Sequence, residues 1–168
     1  EEHIFSNLIL EFEGNIARIT LNRPETLNVF SLPMLTDLEA ALDKIIKTPA
    51  TKCVILKSST TKAFSAGADI REMSTRDVNG GIEFAEIGHR IGRKLELDVP
   101  PVVIALSGLV LGGACEFCCA CDIRVATKTT LFSQPEINIG VIPGWGGTQR
   151  LMRLIGVGKA KEMIYTGN

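Results

Sequence analysis

Two short apolar segments, each followed by a loop of small residues and a helical pattern, constrain the fold more than any other feature of this chain. They are CVILK at 53–57 and VVIALS at 102–107. Short apolar runs bounded by turn residues are typical of strands buried inside a sheet. A further strand, IRVA at 123–126, follows the second helical pattern. Strand, helix and strand in repetition predict an α/β fold with a parallel sheet and crossover helices.

The remaining elements are predicted from periodicity and from cap and turn residues. Alternating polarity around Gly14-Asn15 indicates a hairpin, and Ser31 can cap a helix that ends before Pro49. The other expected elements are a helix at 82–97 after a Gly-Gly break, a helix start at Gly112, a short strand after residue 130, a helix from about Gly147, and a helical segment at 159–167.

Length and charge restrict the class of protein. With 168 residues, of which 45% are hydrophobic, the chain is expected to form a single domain over residues 1–168. Its 18 basic and 19 acidic residues nearly cancel, which argues against nucleic acid or anionic lipid as a partner. Prolines, glycines and Glu116 interrupt the longest apolar stretch, 99–121, so no membrane span is expected.

The cysteines favour a reducing compartment. There are five, an odd number, and four of them lie between Cys115 and Cys121. This spacing suits free thiols in a cytosol-like compartment better than a disulfide framework, and a cleaved presequence would make that compartment the mitochondrial matrix. A zinc or redox site is the alternative, but no second Cys pair or His cluster completes it, so no metal is expected.

The loops FSAGAD and LVLGGAC follow the two buried strands and are candidates for ligand contact. Ligands commonly bind at the carboxyl ends of parallel strands, and small residues let a ligand approach the main chain closely. Each loop could offer one N–H to a single oxygen, which would form an oxyanion hole. Tight turns that serve only packing are an equally good interpretation of the composition.

Two glutamates in a mostly apolar region are candidates for acid and base chemistry. Glu116 follows the glycine pair by about one helical turn, and Glu136 lies beside Pro135 twenty positions later. Burial raises the pKa of a carboxyl and suits it to proton transfer near neutral pH. A partly exposed Glu116 that interacts with the helix dipole, and a Glu136 paired with Arg150, are the structural alternatives. Trp145 is either a core residue or a pocket wall.

Taken together, four motifs in order and at suitable spacing resemble the enoyl-CoA hydratase/isomerase (crotonase) family over essentially the whole chain. They are LNRPETLN at 21–28, KAFSAGADI at 62–70, SGLVLGGACEF with CDIRVA at 107–126, and QPEINIGVIPGWGGTQRL at 134–151. The resemblance implies a ClpP/crotonase-like spiral of strand-strand-helix units.

The resemblance also implies roles for individual residues. The main-chain N–H groups of Ala68 and Gly113 would hold the thioester oxygen of an acyl-CoA, with Glu116 and Glu136 as the catalytic pair of a hydratase. No cofactor is implied beyond the coenzyme A of the substrate. The substrate-binding residues it implies are Ala66, Gly67, Ala68, Asp69, Ile70, Arg71, Gly112, Gly113 and Pro135.

The chain departs from the family pattern at three places. Ala114 stands at the third position of the usual GGG, Ser107 replaces an Asn, and Arg71 replaces a common Lys. The family's C-terminal trimerisation helices are expected to be absent from these residues, with a homotrimer or dimer of trimers for the full-length protein. A double-bond isomerase, other enolate chemistry and a non-catalytic acyl-CoA-binding protein are the competing functions.

Overall fold

A computed structural model describes all residues from Glu1 to Asn168. It contains a six-stranded sheet and a three-stranded sheet with helices packed against them. The strands are β1 (Glu2–Ile4), β2 (Leu8–Glu13), β3 (Ile16–Leu21), β4 (Cys53–Ser58), β5 (Ala63–Ser65), β6 (Val102–Leu106), β7 (Leu109–Leu111), β8 (Ile123–Ala126) and β9 (Leu131–Ser133). The α-helices are α1 (Leu32–Ile46), α2 (Ile70–Met73), α3 (Val78–Arg93), α4 (Gly113–Ala120), α5 (Gly147–Ile155) and α6 (Val157–Thr166).

The larger sheet has the order β1-β2-β3-β4-β6-β8. The first three strands pair antiparallel, and the predicted hairpin turns at Gly14-Asn15 with Glu13 opposite Ile16. From β3 onward all pairs are parallel. The predicted parallel sheet and its three strands are therefore confirmed, with ends that differ by no more than one residue.

The smaller sheet, β5-β7-β9, is parallel throughout and was not expected from the sequence. Each of its strands is the next element after a strand of the larger sheet: β5 follows β4, β7 follows β6, and β9 follows β8. The chain therefore repeats a strand-strand-helix unit three times, and the loops after β5, β7 and β9 lie next to one another. This stacking brings together segments that are far apart in sequence.

The helix α3 begins earlier than the sequence pattern indicated. Gly80 and Gly81 lie inside its first turn, because the Asp77 side chain caps the helix by accepting a hydrogen bond of 2.8 Å from the Gly80 N–H. The Gly-Gly break was therefore a wrong boundary, and Ile82, the residue after it, is 53% exposed. The helix continues into a wider π-type turn, Lys94–Asp98, before the two prolines.

The other helices agree with expectation. The hydroxyl of Ser31 caps α1, whose buried face includes Leu35, Leu38, Leu42 and Ile45. Gly112 precedes α4, and α5 begins at Gly147 as predicted. None of the helices combines the length and the apolar character that a membrane crossing requires.

Candidate active site

The two small-residue loops meet at the start of α4. A Cβ atom added to Gly67 would lie 2.6 Å from the carbonyl oxygen of Leu111 and 3.6 Å from the main-chain nitrogen of Gly113. Gly67 also has a φ of +89°, and Gly112 has one of +52°, values that glycine adopts without strain. Only glycine allows the two backbones to approach this closely.

Two N–H groups at this junction, those of Ala68 and Gly113, have no acceptor in the protein. Ala68 lies outside the helices and strands, and its nitrogen donates no hydrogen bond, although its neighbours Gly67 and Asp69 both donate. Gly113 is the first residue of α4, where an N–H has no acceptor within the helix. Two main-chain donors from distant parts of the sequence are thus available at one end of α4.

A third loop supports the loop that carries Ala68. The Ala66 N–H donates to Leu27, the Phe30 N–H donates to Gly67, and the Asp69 N–H donates to Phe30, at 2.8 to 3.1 Å. Asn28 fixes this support: it is fully buried, and its amide nitrogen donates to Ser58 Oγ at 2.8 Å and to the Phe64 carbonyl at 3.1 Å. The LNRPETLN motif therefore holds the loop that carries Ala68 in place through main-chain hydrogen bonds.

Glu116 is buried, with 2% of its surface exposed. Its Oε1 atom accepts hydrogen bonds from the main-chain N–H of Trp145 at 2.8 Å and of Gly147 at 2.6 Å. Burial raises the pKa of the Glu116 carboxyl, and these main-chain donors oppose the shift. The alternative of a partly exposed Glu116 is wrong.

Glu136 lies in a 3-10 turn, Pro135–Ile139, directly opposite Gly112. A Cβ atom added to Gly112 would lie 3.1 Å from Glu136 Oε1. Burial and, to a smaller extent, the nearby Glu116 raise the pKa of Glu136 to about 7. The suggested pair with Arg150 does not form, because the Arg150 guanidinium binds Glu96 at 2.9 Å.

Gln134 is a residue of the site that the sequence did not single out. It is fully buried. With its amide oxygen and nitrogen interchanged, the orientation that satisfies both atoms, its nitrogen donates to the two Glu136 carboxyl oxygens at 2.9 and 3.1 Å. A donor in this position holds the carboxyl in place and favours its ionised form. No signal in the sequence marked it, because residue type does not distinguish a buried amide from an exposed one.

Both glutamates line a cavity of 380 Å³ that lies between α3 and the segments that follow β5, β7 and β9. Most of the predicted binding residues lie in its wall: Ala66, Gly67, Ala68, Ile70, Gly112, Gly113 and Pro135. Asp69 and Arg71 do not line it. Asp69 instead caps α2 by accepting hydrogen bonds from the Arg71 and Glu72 N–H groups, and Arg71 is exposed, so their contact with substrate stays a prediction.

Cys115, Cys118 and Cys119 of α4 do not line this cavity, Cys121 directly follows the helix, and Cys53 lies in β4. All five are free, and Cys115, Cys118 and Cys121 are buried. Burial raises the pKa of the Cys118 thiol to about 12, which keeps it protonated. No group of three or more His, Cys, Asp or Glu side chains is arranged to hold a metal ion, so the alternative of a cysteine-bound metal has no ligand set.

The chain is similar to known proteins over most of its length. The sequence profile of the family described as Enoyl-CoA hydratase/isomerase matches residues 11–168, which is nearly the whole chain. The chain belongs to the enoyl-CoA hydratase/isomerase family. Its fold is accordingly the crotonase fold: a solved enoyl-CoA hydratase from Bacillus anthracis matches with a TM-score of 0.92 at 37% identity, over 97% of this chain and 64% of that one.

Curated members of the family are similar over the same region. The short-chain-enoyl-CoA hydratase of Clostridium acetobutylicum is 43% identical over 96% of this chain, and the crotonyl-CoA hydratase of Syntrophomonas wolfei is 38% identical over 98%. The chain spans 62% and 63% of the length of these two relatives.

Proposed function

We propose that this chain carries the active site of an enoyl-CoA hydratase, which adds water reversibly and from one side to a 2-trans-enoyl-CoA to give a 3-hydroxyacyl-CoA. The observation that carries the proposal is the pair of carboxyls, a buried Glu116 and a partly buried Glu136, that line one cavity beside two unpartnered main-chain donors. The names of the similar hydratases support the same reaction.

The Ala68 and Gly113 N–H groups would bind the thioester oxygen of the substrate. Hydrogen bonds to this oxygen draw electrons from the double bond, which makes Cβ electrophilic, and they stabilise the enolate that forms when water adds. Loss of one such donor typically reduces the rate by about 10² to 10³. Because the donors belong to the main chain, side-chain substitution alone does not remove them.

Glu116 would orient and deprotonate the attacking water. Two main-chain N–H groups hold its Oε1 atom, which leaves Oε2 for the water. A carboxylate fixed in this way loses little conformational freedom when the substrate reacts, because its free oxygen is already held where the water must bind.

Glu136 would deliver the proton to Cα. A pKa of about 7 means that its carboxyl is partly protonated near neutral pH and can both give and take a proton. After hydration the proton lost by water resides on Glu116, and the reverse reaction uses it to release water. The hydration transfers no electrons to an external acceptor, so the proposal requires no cofactor beyond the coenzyme A that the substrate carries.

The test is the variant Glu136→Gln in the protein at its full natural length. Hydration of crotonyl-CoA should fall by about 10² to 10⁴, because Gln has no proton of suitable acidity for Cα. Binding of acetoacetyl-CoA, an enolate mimic, should remain, since the Ala68 and Gly113 donors are unchanged. Near-normal turnover in Glu136→Gln would contradict the assigned role.

Double-bond isomerisation is the second candidate, because one carboxyl with a pKa near 7 is sufficient to move a proton between two carbons of an acyl-CoA. Parallel assays of 3-enoyl-CoA and 2-enoyl-CoA separate the two reactions. An isomerase would convert the first to the second without forming a 3-hydroxyacyl product.

A further inference from the structure

Trp145 fills the space between α3 and α4 at the inner side of the cavity. Its indole stacks on Phe117, with ring centroids 5.1 Å apart and an interplanar angle of 9°, and its Nε1 donates to the Phe84 carbonyl at 3.2 Å. Only 4% of the residue is exposed, yet it is part of the cavity lining. Trp145 is therefore both a core residue and a wall.

The indole fits only because the two facing helices each carry a glycine. A Cβ atom on Gly88 of α3 would lie 2.2 Å from Trp145 Cδ1, and one on Gly113 of α4 would lie 2.2 Å from its Cζ3. These separations are far below contact distance. The ring thus occupies volume that two small residues leave open, and it reaches the residue proposed to bind the thioester oxygen.

The direction of the acyl chain follows from these positions. With the thioester oxygen at Ala68 and Gly113, Cα and Cβ lie between the two glutamates, and the rest of the chain extends along the cavity away from that point. Several apolar side chains line the cavity, among them Met73, Ile139, Val141 and Ile142. Phe84 and Trp145 are its two aromatic residues, with 5.4 Å between their ring centroids, and Trp145 is the one that lies against Gly113.

We propose that the Trp145 indole is the end wall of the acyl cavity and restricts the site to short acyl chains. This inference rests on the proposed acyl-CoA function and adds to it a residue that determines chain length. Replacement of the indole by a smaller group would open the gap between Gly88 and Gly113, where additional methylene groups of a longer chain would be buried. One methylene in an apolar pocket typically changes specificity by about ten-fold or more.

The experiment compares kcat/KM for crotonyl-, hexenoyl-, octenoyl- and decenoyl-CoA in the wild type, Trp145→Phe and Trp145→Ala, at full natural length. The ratio of the decenoyl to the crotonyl value should rise by roughly ten-fold or more in Trp145→Ala, with Trp145→Phe intermediate. The main-chain N–H of residue 145 remains in every variant, so the hydrogen bond to Glu116 is not removed.

The control is Phe117→Leu, which removes part of the ring beneath the indole but does not itself line the cavity. The same rise in this variant would mean that general loosening of the core, and not the wall, sets the preference. An unchanged ratio in a folded Trp145→Ala would also overturn the inference, while the proposed function would stand.

Failure of the proposed function is recognised separately, because the wild type would then not hydrate crotonyl-CoA. In that case the affinities of butyryl-CoA and decanoyl-CoA, measured by calorimetry in the same variants, test the wall without turnover. A decanoyl preference that increases in Trp145→Ala supports the inference, and equal affinities in wild type and variant contradict it. If Trp145→Ala does not fold, Trp145→Phe and Trp145→Leu provide the same comparison.

Discussion

Glu116 Oε1 accepts a hydrogen bond of 2.6 Å from the main-chain N–H of Gly147, the first residue of α5. A helix start is a favourable place for a carboxylate, because its N–H groups are unpartnered and the helix dipole is positive there. The acid on one helix is therefore held by the amino end of the next. This arrangement ties the position of the proposed base to the packing of α4 against α5.

Substitutions of Glu116 should separate its structural and chemical roles. Glu116→Gln retains an oxygen that accepts from Trp145 and Gly147, so the free energy of unfolding should change little while hydration of crotonyl-CoA falls by about 10² or more. Glu116→Ala leaves both buried N–H groups without an acceptor and should also cost about 1 to 3 kcal/mol of stability. Urea unfolding beside steady-state kinetics measures both effects. Equal stability of the two variants would show that these hydrogen bonds contribute nothing.

The catalytic pH profile should have a limb set by Glu136. The active form carries one proton on the glutamate pair, so kcat/KM should fall as pH rises through about 7, the pKa of Glu136. Hydration consumes no net proton, and the equilibrium constant therefore requires the same limb for dehydration of 3-hydroxybutyryl-CoA. Initial rates in both directions from pH 5.5 to 9 provide the check. A kcat/KM that stays constant from about pH 6 to about pH 8 in both directions would exclude this assignment.

Stability should depend on pH through the same group. The pKa of Glu136 is raised from 4.5 to about 7, so the folded protein keeps a proton that the unfolded chain releases in this range. The free energy of unfolding of the wild type should therefore fall, relative to Glu136→Gln, as pH rises from about 4.5 to about 7, and level off above it. Denaturant titrations of both proteins at several pH values test the sign. A wild type that gains stability over this range relative to the variant would be the opposite result.

Alanine substitutions at two glycines of α3 should change the stability of the protein in opposite directions. A Cβ on Gly88 meets the Trp145 ring at 2.2 Å, whereas one on Gly81 meets nothing within 4 Å. Gly88→Ala should destabilise the protein by about 1 to 3 kcal/mol, and Gly81→Ala should stabilise it by about 0.5 to 1 kcal/mol through helix propensity. Thermal or urea unfolding distinguishes them. The Gly88→Ala loss should shrink in a Trp145→Ala background, which lacks the ring atoms that the Cβ meets, and an undiminished loss would place the clash elsewhere.

Asn28 should affect catalysis although it lies outside the cavity. It has a φ of +52° and anchors the loop that hydrogen-bonds the Ala66–Asp69 segment. Asn28→Gly keeps this backbone conformation accessible and removes only the amide, so about 2 kcal/mol of stability and roughly ten-fold in kcat should be lost as the Ala68 N–H shifts. Crotonyl-CoA kinetics at saturating substrate provide the measurement. An unaltered kcat in a folded but less stable Asn28→Gly would limit Asn28 to a structural role.

The order of most strands and helices could be predicted, because buried strands and helices leave apolar runs and periodic apolar positions in the sequence. CVILK, VVIALS and IRVA contain enough apolar residues to mark buried strands, and Ser31 marked a helix start. The short strand after residue 130 was predicted and is β9, but β5 and β7, with three residues each, are too short for any periodicity, so the smaller sheet was missed. The Gly-Gly at 80–81 misled the boundary of α3, because the Asp77 cap outweighs the low helix propensity of glycine.

The site was partly predictable for a related reason. Glu116 and Glu136 stand out as acids in apolar surroundings, and the glycines of both loops indicated close backbone approach. Composition alone does not show that the loops meet, since this depends on how β5 and β7 turn away from the larger sheet. Gln134 and Asn28 were missed because a buried amide cannot be distinguished from an exposed one by residue type. Arg150 was paired with the wrong acid, since Glu96 comes from the distant π-type turn.

Residue 145 contributes to the site in two separable ways. Its peptide nitrogen holds the carboxyl of Glu116, and any amino acid other than proline could supply that bond. Its side chain decides how much room remains for what is bound. Natural variation at this one position could therefore change which molecules are accepted while the reaction chemistry stays intact, so its identity in other members of the family offers a direct way to sort them by the size of molecule they accept.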